Sequence, residues 1–407
     1  MEAGDLITLD VEKPAVGGRM LGRHDGQVVL VWGAIPGERV RARVERVGRG
    51  VLYADAIDVL TPSSDRRPAG TDWRCGGNAY AHIAYDRQVT LKGEIVRETL
   101  GRIGRLPLEQ PPAVVPSPEC GYRMRARLHV REGRLGFFRE GTHQLCDPAG
   151  TGQLLPDTLA WLADAERFLH GDRLTGLSDI ELVENVAASE RACHLELEPG
   201  TDPAPFAPLA GSAAVTDSVR LRDDDPDAAV QLRHSARAFF QGNRFLLEPL
   251  ARQVAALVPA GPVIDLYAGV GLFGLSLAAA GIEPVTLVEG DPVSAADLRI
   301  NAEPFAAARV RVERRSVETF LAHSRLGSPG DCTFVVDPPR TGMSKPAMAG
   351  IVSAAPGRII YVSCDVATFA RDTRTLVDAG YALGRVVGMD MFPNTAHVEC
   401  IGEFVHR

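Results

Sequence analysis

PVIDLYAGVGLFG, residues 262 to 274, decides how the last part of the chain is read. Its first half is an apolar run with the length of a short buried strand. Its second half spells G-x-G-x-x-G with Gly269, Gly271 and Gly274. Glycines so spaced allow a tight turn from a strand into a helix whose free N–H groups can meet an anionic ligand. The next strand-like run ends at Glu289, 20 residues beyond Gly269, where a carboxylate can bind ribose hydroxyls. Alone, the pattern fits NAD, and as a bare strand-to-helix turn it needs no ligand. Asp265-Leu266-Tyr267-Ala268 stands before the glycines, however, and an acid there suits a cationic amino-acid head group better than a pyrophosphate. S-adenosylmethionine (AdoMet) carries such a head group beside a sulfonium.

Downstream, the strand-like runs EPVTLVE, RVRVE, CTFVVD and RIIYVSC alternate with segments of helical periodicity. That alternation predicts a parallel-dominated sheet with crossover helices, an α/β Rossmann-like domain over residues 231–407. Residues 1–62 differ in kind. Short β-branched runs (LITLDVEK, VVLVWG, ERVRARVERV, VLYADAIDVL) separated by glycine-bearing turns predict a small all-β barrel, closed by TPSSDRRP. Between them, residues 63–230 read as a central α+β domain, with a helix over 77–104 and a hairpin over 121–138 that turns at Glu132-Gly133. The acid-rich LRDDDPDAAV, residues 221 to 230, is the expected approach to the last domain.

Composition limits what these parts can do. A chain of 407 residues with 45% hydrophobic and 24% charged residues is an ordinary globular protein of two or three domains. A net charge of -8 excludes a polycation that coats nucleic acid indiscriminately, so any anionic partner must meet local patches. The most apolar stretch, residues 262–281, carries Asp265 and several glycines and is a poor membrane span. The first residues show no basic segment leading into an apolar one, so a cytoplasmic protein is expected. Seven scattered cysteines then predict free thiols and no disulfide framework.

A parallel sheet of this kind binds ligands at the carboxyl ends of its strands. Those ends carry Asp265, Glu289, Asp337 and Cys364. Asp337 opens DPPRTGM, where two prolines stiffen the loop and hold Arg340 at the same rim. Cys364 ends RIIYVSC and is followed by a helical segment. A lone cysteine there is more often packed than reactive. MFPNTAHVEC, however, supplies His397 and Glu399 at alternate positions of a terminal strand, so both are expected on one side. A thiol and a carboxylate serve one particular chemistry. Carbon 5 of uracil becomes nucleophilic only when a thiolate adds to carbon 6, and a base must later remove the carbon 5 proton so that the thiol can leave.

With these motifs in place the chain resembles the AdoMet-dependent uracil-5 RNA methyltransferases (the TrmA and RumA type) over nearly its whole length. The resemblance rests on FFQGN (239–243), DLYAGVGLFG, DPPRTGM, YVSCDVATFARD and MFPNTAHVE, in that order. It implies Cys364 as nucleophile and Glu399 as proton acceptor. It also implies AdoMet contacts from Gln241, Tyr267, Glu289 and Asp337, beside Gly269 and Gly271 of the turn. The first residues resemble a TRAM domain, an oligonucleotide-binding type of barrel that holds RNA, and Tyr122-Arg123-Met124-Arg125 resembles an RNA-binding stretch of the family. Alternation alone places Arg39, Arg41 and Arg43, and again Arg123, Arg125 and Arg127, on single strand faces that can follow phosphates, with Arg340 at the rim. A solvated strand face explains the same alternation.

The chain departs from the family in three places. Only Cys75 and Cys146 match a four-cysteine iron-sulfur pattern of some members, so no cluster is expected. Asn394 stands where the family often has His, and Leu272 where some members have an AdoMet-contacting Asn. The expectation is a monomeric enzyme that methylates a flipped uridine in rRNA or tRNA, away from any membrane. Three readings compete with it. A cytosine-5 RNA methyltransferase typically brings a second cysteine near the Asp-Pro-Pro loop, and DPPRTGM has none. An NAD oxidoreductase has no use for Cys364 with Glu399. A non-catalytic RNA-binding or RNA-folding protein on this scaffold would be expected to have lost one of the two.

Overall fold

The computed structural model describes all residues except 69–71, 173, 222–228, 306–308, 324–328 and 407. The acid-rich 221–230 tract thus lies mostly outside the described residues. The chain opens with β1 (Leu6–Pro14), β2 (Met20–His24), β3 (Gln27–Trp32), β4 (Arg39–Gly48) and β5 (Val51–Thr61), a closed barrel in the order β1-β2-β3-β5-β4. Strict alternation builds it: in β4 Val40, Ala42 and Val44 are buried while Arg39, Arg41 and Arg43 are exposed. Helix α1 (Tyr85–Arg102) and the short β6 (Val114–Val115) follow. The helix is shorter at its start than the sequence predicts, because residues 77–84 wind through turns and the Tyr80 amide donates to the Asn394 carbonyl at 2.7 Å.

The central part contains β7 (Arg125–Arg131), β8 (Arg134–Phe138), β9 (Leu145–Cys146), α2 (Pro156–Gly171), β10 (Leu177–Glu184), β11 (Arg191–Leu197) and α3 (Ala207–Ala210), with sheet order β11-β10-β7-β8-β9. Glu132 and Gly133 turn the β7–β8 hairpin with φ of 52° and 73°, as its two-residue loop requires. A separate hairpin of β12 (Ala214–Arg220) and β13 (Ala229–Ser235) leads into the last part.

There, α4 (Leu247–Ala255), β14 (Val263–Leu266), α5 (Leu272–Ala279), β15 (Val285–Glu289), α6 (Pro292–Ala302), β16 (Val310–Arg314), α7 (Val317–His323), β17 (Thr333–Val336), α8 (Lys345–Ala354), β18 (Arg358–Ser363) and α9 (Val366–Asp378) alternate. Two antiparallel strands, β19 (Tyr381–Met389) and β20 (Glu399–His406), complete an eight-stranded sheet ordered β16-β15-β14-β17-β18-β20-β19-β6. β14 is central and wholly buried: Val263 faces the layer of α4 and α5, and Ile264 and Leu266 face that of α8 and α9. Its crossovers leave in both directions, so a crevice opens at its carboxyl end.

Apolar contacts are among those that tie the barrel to the rest. Tyr80, Ile83 and Leu91 share the barrel's apolar core, and Ala396 packs against it. A methyl on Gly18 would stand 3.5 Å from the Trp32 ring and 3.7 Å from Cβ of Ala396, so barrel and chain meet closely three residues before Glu399. Among the described residues no helix is long and apolar enough to cross a membrane.

One expectation fails here. Cys75 and Cys146 are joined to each other, with Cα atoms 5.7 Å apart, where the sequence predicts free thiols. Cys75 bridges to Arg139 just beyond β8, and Cys146 pairs across from Phe137 within it, so two chain segments 71 residues apart meet at one strand end. Spacing alone carries no sign of that meeting.

The sheet is closely packed under the glycine turn. A Cβ on Gly274 would fall 2.1 Å from Leu287 Cδ2 and 2.9 Å from Asp265 Oδ2, so α5 rests directly on β14 and β15. Gly274→Ala is expected to destabilise the protein by about 1–3 kcal/mol through overpacking. The check is the urea midpoint, which should fall at constant m.

Candidate active site

The turn after β14 is built around two carboxylates. Glu289, at the end of β15, accepts the Gly269 amide at 2.7 Å and the Asp291 amide at 2.6 Å. Asp265 accepts the Gly274 amide at 2.8 Å with one oxygen, and its other oxygen has no partner among the described residues. Burial pushes Asp265 up to about 8, helped by the negative charges of Asp337 and Glu289. Asp265 is fully buried and does not line the cavity, which corrects its reading as a binder of the amino-acid head group. It braces the turn from below. Tyr267 takes φ 64°, a conformation that a non-glycine residue adopts only under constraint, and it brings its ring to the crevice.

Above the turn lies a cavity of about 710 Å³. Gln241, Tyr267, Gly269, Glu289, Asp337, Arg340, Cys364 and Glu399 all line it, so eight residues singled out in the sequence are brought together. Gly271 is not among the lining residues; with φ 104° it caps the start of α5 beneath them.

Cys364 and Glu399 meet through strand register. β18 and β20 run antiparallel with Ser363 opposite Cys400, so the next step along each strand sets Cys364 beside Glu399. The thiol is pushed up to about 12 by burial and then by the negative charges of Glu399 and Asp337, which Arg340 opposes. Glu399 is only 2% exposed, and burial, reinforced by Asp337, raises its carboxyl well above the usual range. Asp337, whose amide donates to the Leu266 carbonyl at 3.4 Å, is raised by burial to about 7. Asp337, Glu399 and the thiol, in a poorly solvated space, are pushed toward their neutral forms, with the Arg340 guanidinium at the rim as an opposing charge.

His397 is placed otherwise than the sequence predicts. β20 begins at Glu399, so His397 precedes the strand, and its ring is exposed against Phe392 with centroids 6.0 Å apart. It shares no face with Glu399. Sequence reasoning also missed lining residues. Phe239, 64% exposed, Arg237 and Phe392 stand at the cavity, as do Asp291 and Ser316 beyond the ends of β15 and β16. The alternation of Arg237, Phe239 and Gln241 is the signal that could have found the first two.

None of the six strand arginines lines the cavity. Arg39 approaches Asp10 at 3.5 Å and Arg41 is paired with Asp58, both exposed beside Arg43. Arg123 donates to the Arg125 carbonyl at 2.9 Å and to Gln153 at 2.6 Å. Arg125 donates to the Ala236 carbonyl at 3.1 Å and is pushed down to about 10 by burial. Arg127 lies among Asp179, Glu181 and Glu196, the last at 2.7 Å. Structural bonds thus occupy five of the six. Leu272 is buried in the core at the start of α5. The Asn394 side chain accepts from Gln88 and Arg67, both at 2.9 Å.

Similarity to known proteins agrees with this arrangement. Residues 227–407 match the tRNA (Uracil-5-)-methyltransferase family, and residues 2–57 the TRAM domain. An uncharacterized RNA methyltransferase of Bdellovibrio bacteriovorus is 32% identical over 98% of this chain and 95% of its own length. The 23S rRNA (uracil(1939)-C(5))-methyltransferase RlmD of Pseudomonas putida is 30% identical over 98% of this chain and 94% of its own. The crystal structure of Pyrococcus abyssi tRNA (uracil-54, C5)-methyltransferase, in complex with S-adenosyl-L-homocysteine, superposes with a TM-score of 0.76 at 25% identity, covering 98% of this chain and 99% of that one. The chain belongs to the family of AdoMet-dependent uracil-5 RNA methyltransferases.

Proposed function

We propose that the protein transfers a methyl group from AdoMet to carbon 5 of a uridine in structured rRNA or tRNA, through a covalent bond between Cys364 and carbon 6 of the base. The observation that carries this reading is the register of β18 and β20, which puts a thiol and a buried carboxylate side by side in one cavity. The cavity's volume of about 710 Å³ is in the range that takes a cofactor-sized ligand. Its chemistry also suits AdoMet. Glu289 is the acceptor for ribose hydroxyls, while Gln241, Tyr267 and Asp337 stand around the path of the amino-acid end. AdoMet, when bound, supplies an electrophilic methyl group.

The residues of this chain do the rest. Arg340, beside Sγ, favours the thiolate of Cys364. Addition of that sulfur to carbon 6 moves the double-bond electrons toward carbon 5 and the carbon 4 oxygen, and carbon 5 can then accept the methyl group. Glu399 takes the carbon 5 proton, the carbon 5–carbon 6 double bond re-forms, and the sulfur leaves. Only the ionised carboxylate can take that proton, and burial, by raising its affinity for protons, makes it the stronger base once ionised. A base reaches this depth only if it is swung out of its stack, and the exposed ring of Phe239 at the mouth offers it a surface. The relative named for 23S rRNA and the structure named for tRNA support the two RNA classes equally.

Each half of the chemistry has its own test. Cys364→Ala should form no adduct with RNA, whereas Glu399→Gln should form one after methyl transfer and release it slowly. Wild type should be trapped by RNA carrying 5-fluorouridine at the target, since fluorine cannot leave as a cation. A denaturing gel with labelled RNA reads all three, and a shifted band with Cys364→Ala would sink the covalent assignment.

For the cofactor, Glu289→Gln should weaken AdoMet binding by roughly 1–3 kcal/mol, the loss of a charge-assisted acceptor. Titration calorimetry showing unchanged affinity counts against Glu289 as the ribose ligand.

The raised thiol predicts a pH dependence. Below its pKa the thiolate fraction grows with pH, so alkylation of Cys364 by iodoacetamide should rise about tenfold per unit between pH 7 and 9. Peptide mapping follows it, with the exposed Cys120 as a comparison for access. A rate that levels off near neutrality would show that burial does not hold the thiol protonated.

A further inference from the structure

Five residues, Asp390 to Asn394, join β19 to the approach of β20. They carry Phe392 into the cavity and lead on to Glu399. Nothing from α1 lines that cavity, yet one face of α1 holds this loop at both ends. Lys92 pairs with the Asp390 carboxylate and donates to the Phe392 carbonyl at 3.0 Å. Tyr85 donates to the other Asp390 oxygen at 3.0 Å. One turn from Lys92, Gln88 binds Asn394 twice: its Nε2 donates to Asn394 Oδ1 at 2.9 Å, and its Oε1 accepts the Asn394 amide at 3.0 Å. Arg67 adds a donor to the same Oδ1 at 2.9 Å. Asn394 itself takes φ 63°, a turn conformation that asparagine tolerates better than most residues. From the opposite side, Asn243 donates to the Met391 carbonyl at 3.2 Å, two residues after the cavity-lining Gln241.

The choice of side chains argues for geometry over mere attachment. Lys92, Gln88 and Asp390 are fully buried. Burying a charge pair costs several kcal/mol of desolvation, and apolar side chains of similar volume commonly hold two elements together as well or better. Directional bonds do what an apolar contact cannot: they fix where a backbone carbonyl, an amide and a carboxylate stand. We propose that Gln88 and Lys92 are positioning residues of the reaction, gripping the two ends of the 390–394 loop and thereby setting where Phe392 and Glu399 stand in the cavity. The inference rests on the proposed methylation for its catalytic readout. Its structural half stands without it. It also answers what replaces the family's histidine at position 394: Asn394 serves α1 and makes no bond to Glu399.

The test compares wild type with Gln88→Met and Asn394→Gly; the glycine suits the left-handed backbone and removes only the side-chain bonds. Kinetics use tritiated AdoMet with unmodified transcripts of a tRNA T-arm and of a large-subunit rRNA fragment. Hydrogen exchange of the 390–399 peptide is followed by mass spectrometry, and AdoMet affinity by calorimetry. Expected for both variants is a fall in kcat of about 10- to 100-fold, the scale of an ångström-level misplacement. AdoMet Kd and RNA KM should stay within about twofold, and exchange across 390–399 should quicken. If the bonds only stabilise the fold, Tm falls while kcat well below Tm stays within about twofold, and the proposal is overturned. Unchanged exchange across 390–399 overturns it as well. Should Gln88→Met fail to bind AdoMet, the milder Asn394→Gly decides by the same readouts. Wild type that methylates neither transcript speaks against the proposed function, and the clamp is then judged on exchange alone.

Discussion

The antiparallel placement of β20 between β18 and β19 is the constraint on which the site depends. Parallel strands deliver their functional residues from carboxyl ends, which is how Glu289, Asp337 and Cys364 come to one rim. A strand running the other way presents its first residue at that rim, and here that residue is Glu399. A thiol and a carboxylate can therefore stand side by side on neighbouring strands, held by the ladder from Arg358–Val405 to Ser363–Cys400. Because strand side chains alternate, a slip of one residue would turn Glu399 to the other face of the sheet. The buried Cys400 and Ile401 that follow it resist that slip.

Around Cys364 and Glu399 the cavity's electrostatics suit a neutral group. Desolvation drives Asp337 and Glu399 toward their protonated forms and holds the Cys364 thiol up as well. A phosphate would find little welcome so deep, whereas a pyrimidine ring brings no charge to be desolvated. Arg340, which opposes the negative charges around the thiol, sits at the exposed rim of the cavity.

How much of this could be read from residues alone follows from the range of the interactions involved. The G-x-G-x-x-G turn, the alternating strands of the barrel, the Glu132-Gly133 hairpin and the five parallel strands are local patterns, and each reports its own neighbourhood. The cavity positions of Cys364 and Glu399 were legible because Cys364 ends a strand-like run and Glu399 lies in the MFPNTAHVE motif. Contacts across long stretches of chain were not. Nothing near Cys75 announces Cys146, and nothing near Lys92 announces Asp390, 298 residues away. Asp265 looked like a ligand because strand ends are where ligands bind, but its side chain turns into the layer under α5 to hold Gly274. Periodicity likewise marks which arginines share a face without revealing their partners. Arg123 donates to the Arg125 carbonyl and Gln153, Arg125 to the Ala236 carbonyl, and Arg127 faces acids.

The close approach of Gly18 to Trp32 and to Ala396 bears on modularity. A small barrel at one end of a chain invites the view that it is an interchangeable attachment, free to be swapped between relatives to redirect them to other RNAs. Here its wall leans on the segment that leads to Glu399, and its core is shared with Tyr80, Ile83 and Leu91. A transplanted barrel would need to bring the bare backbone of Gly18 and the flat ring of Trp32 to the same place. Without them, a chimera made with another barrel would disturb the segment that leads to Glu399.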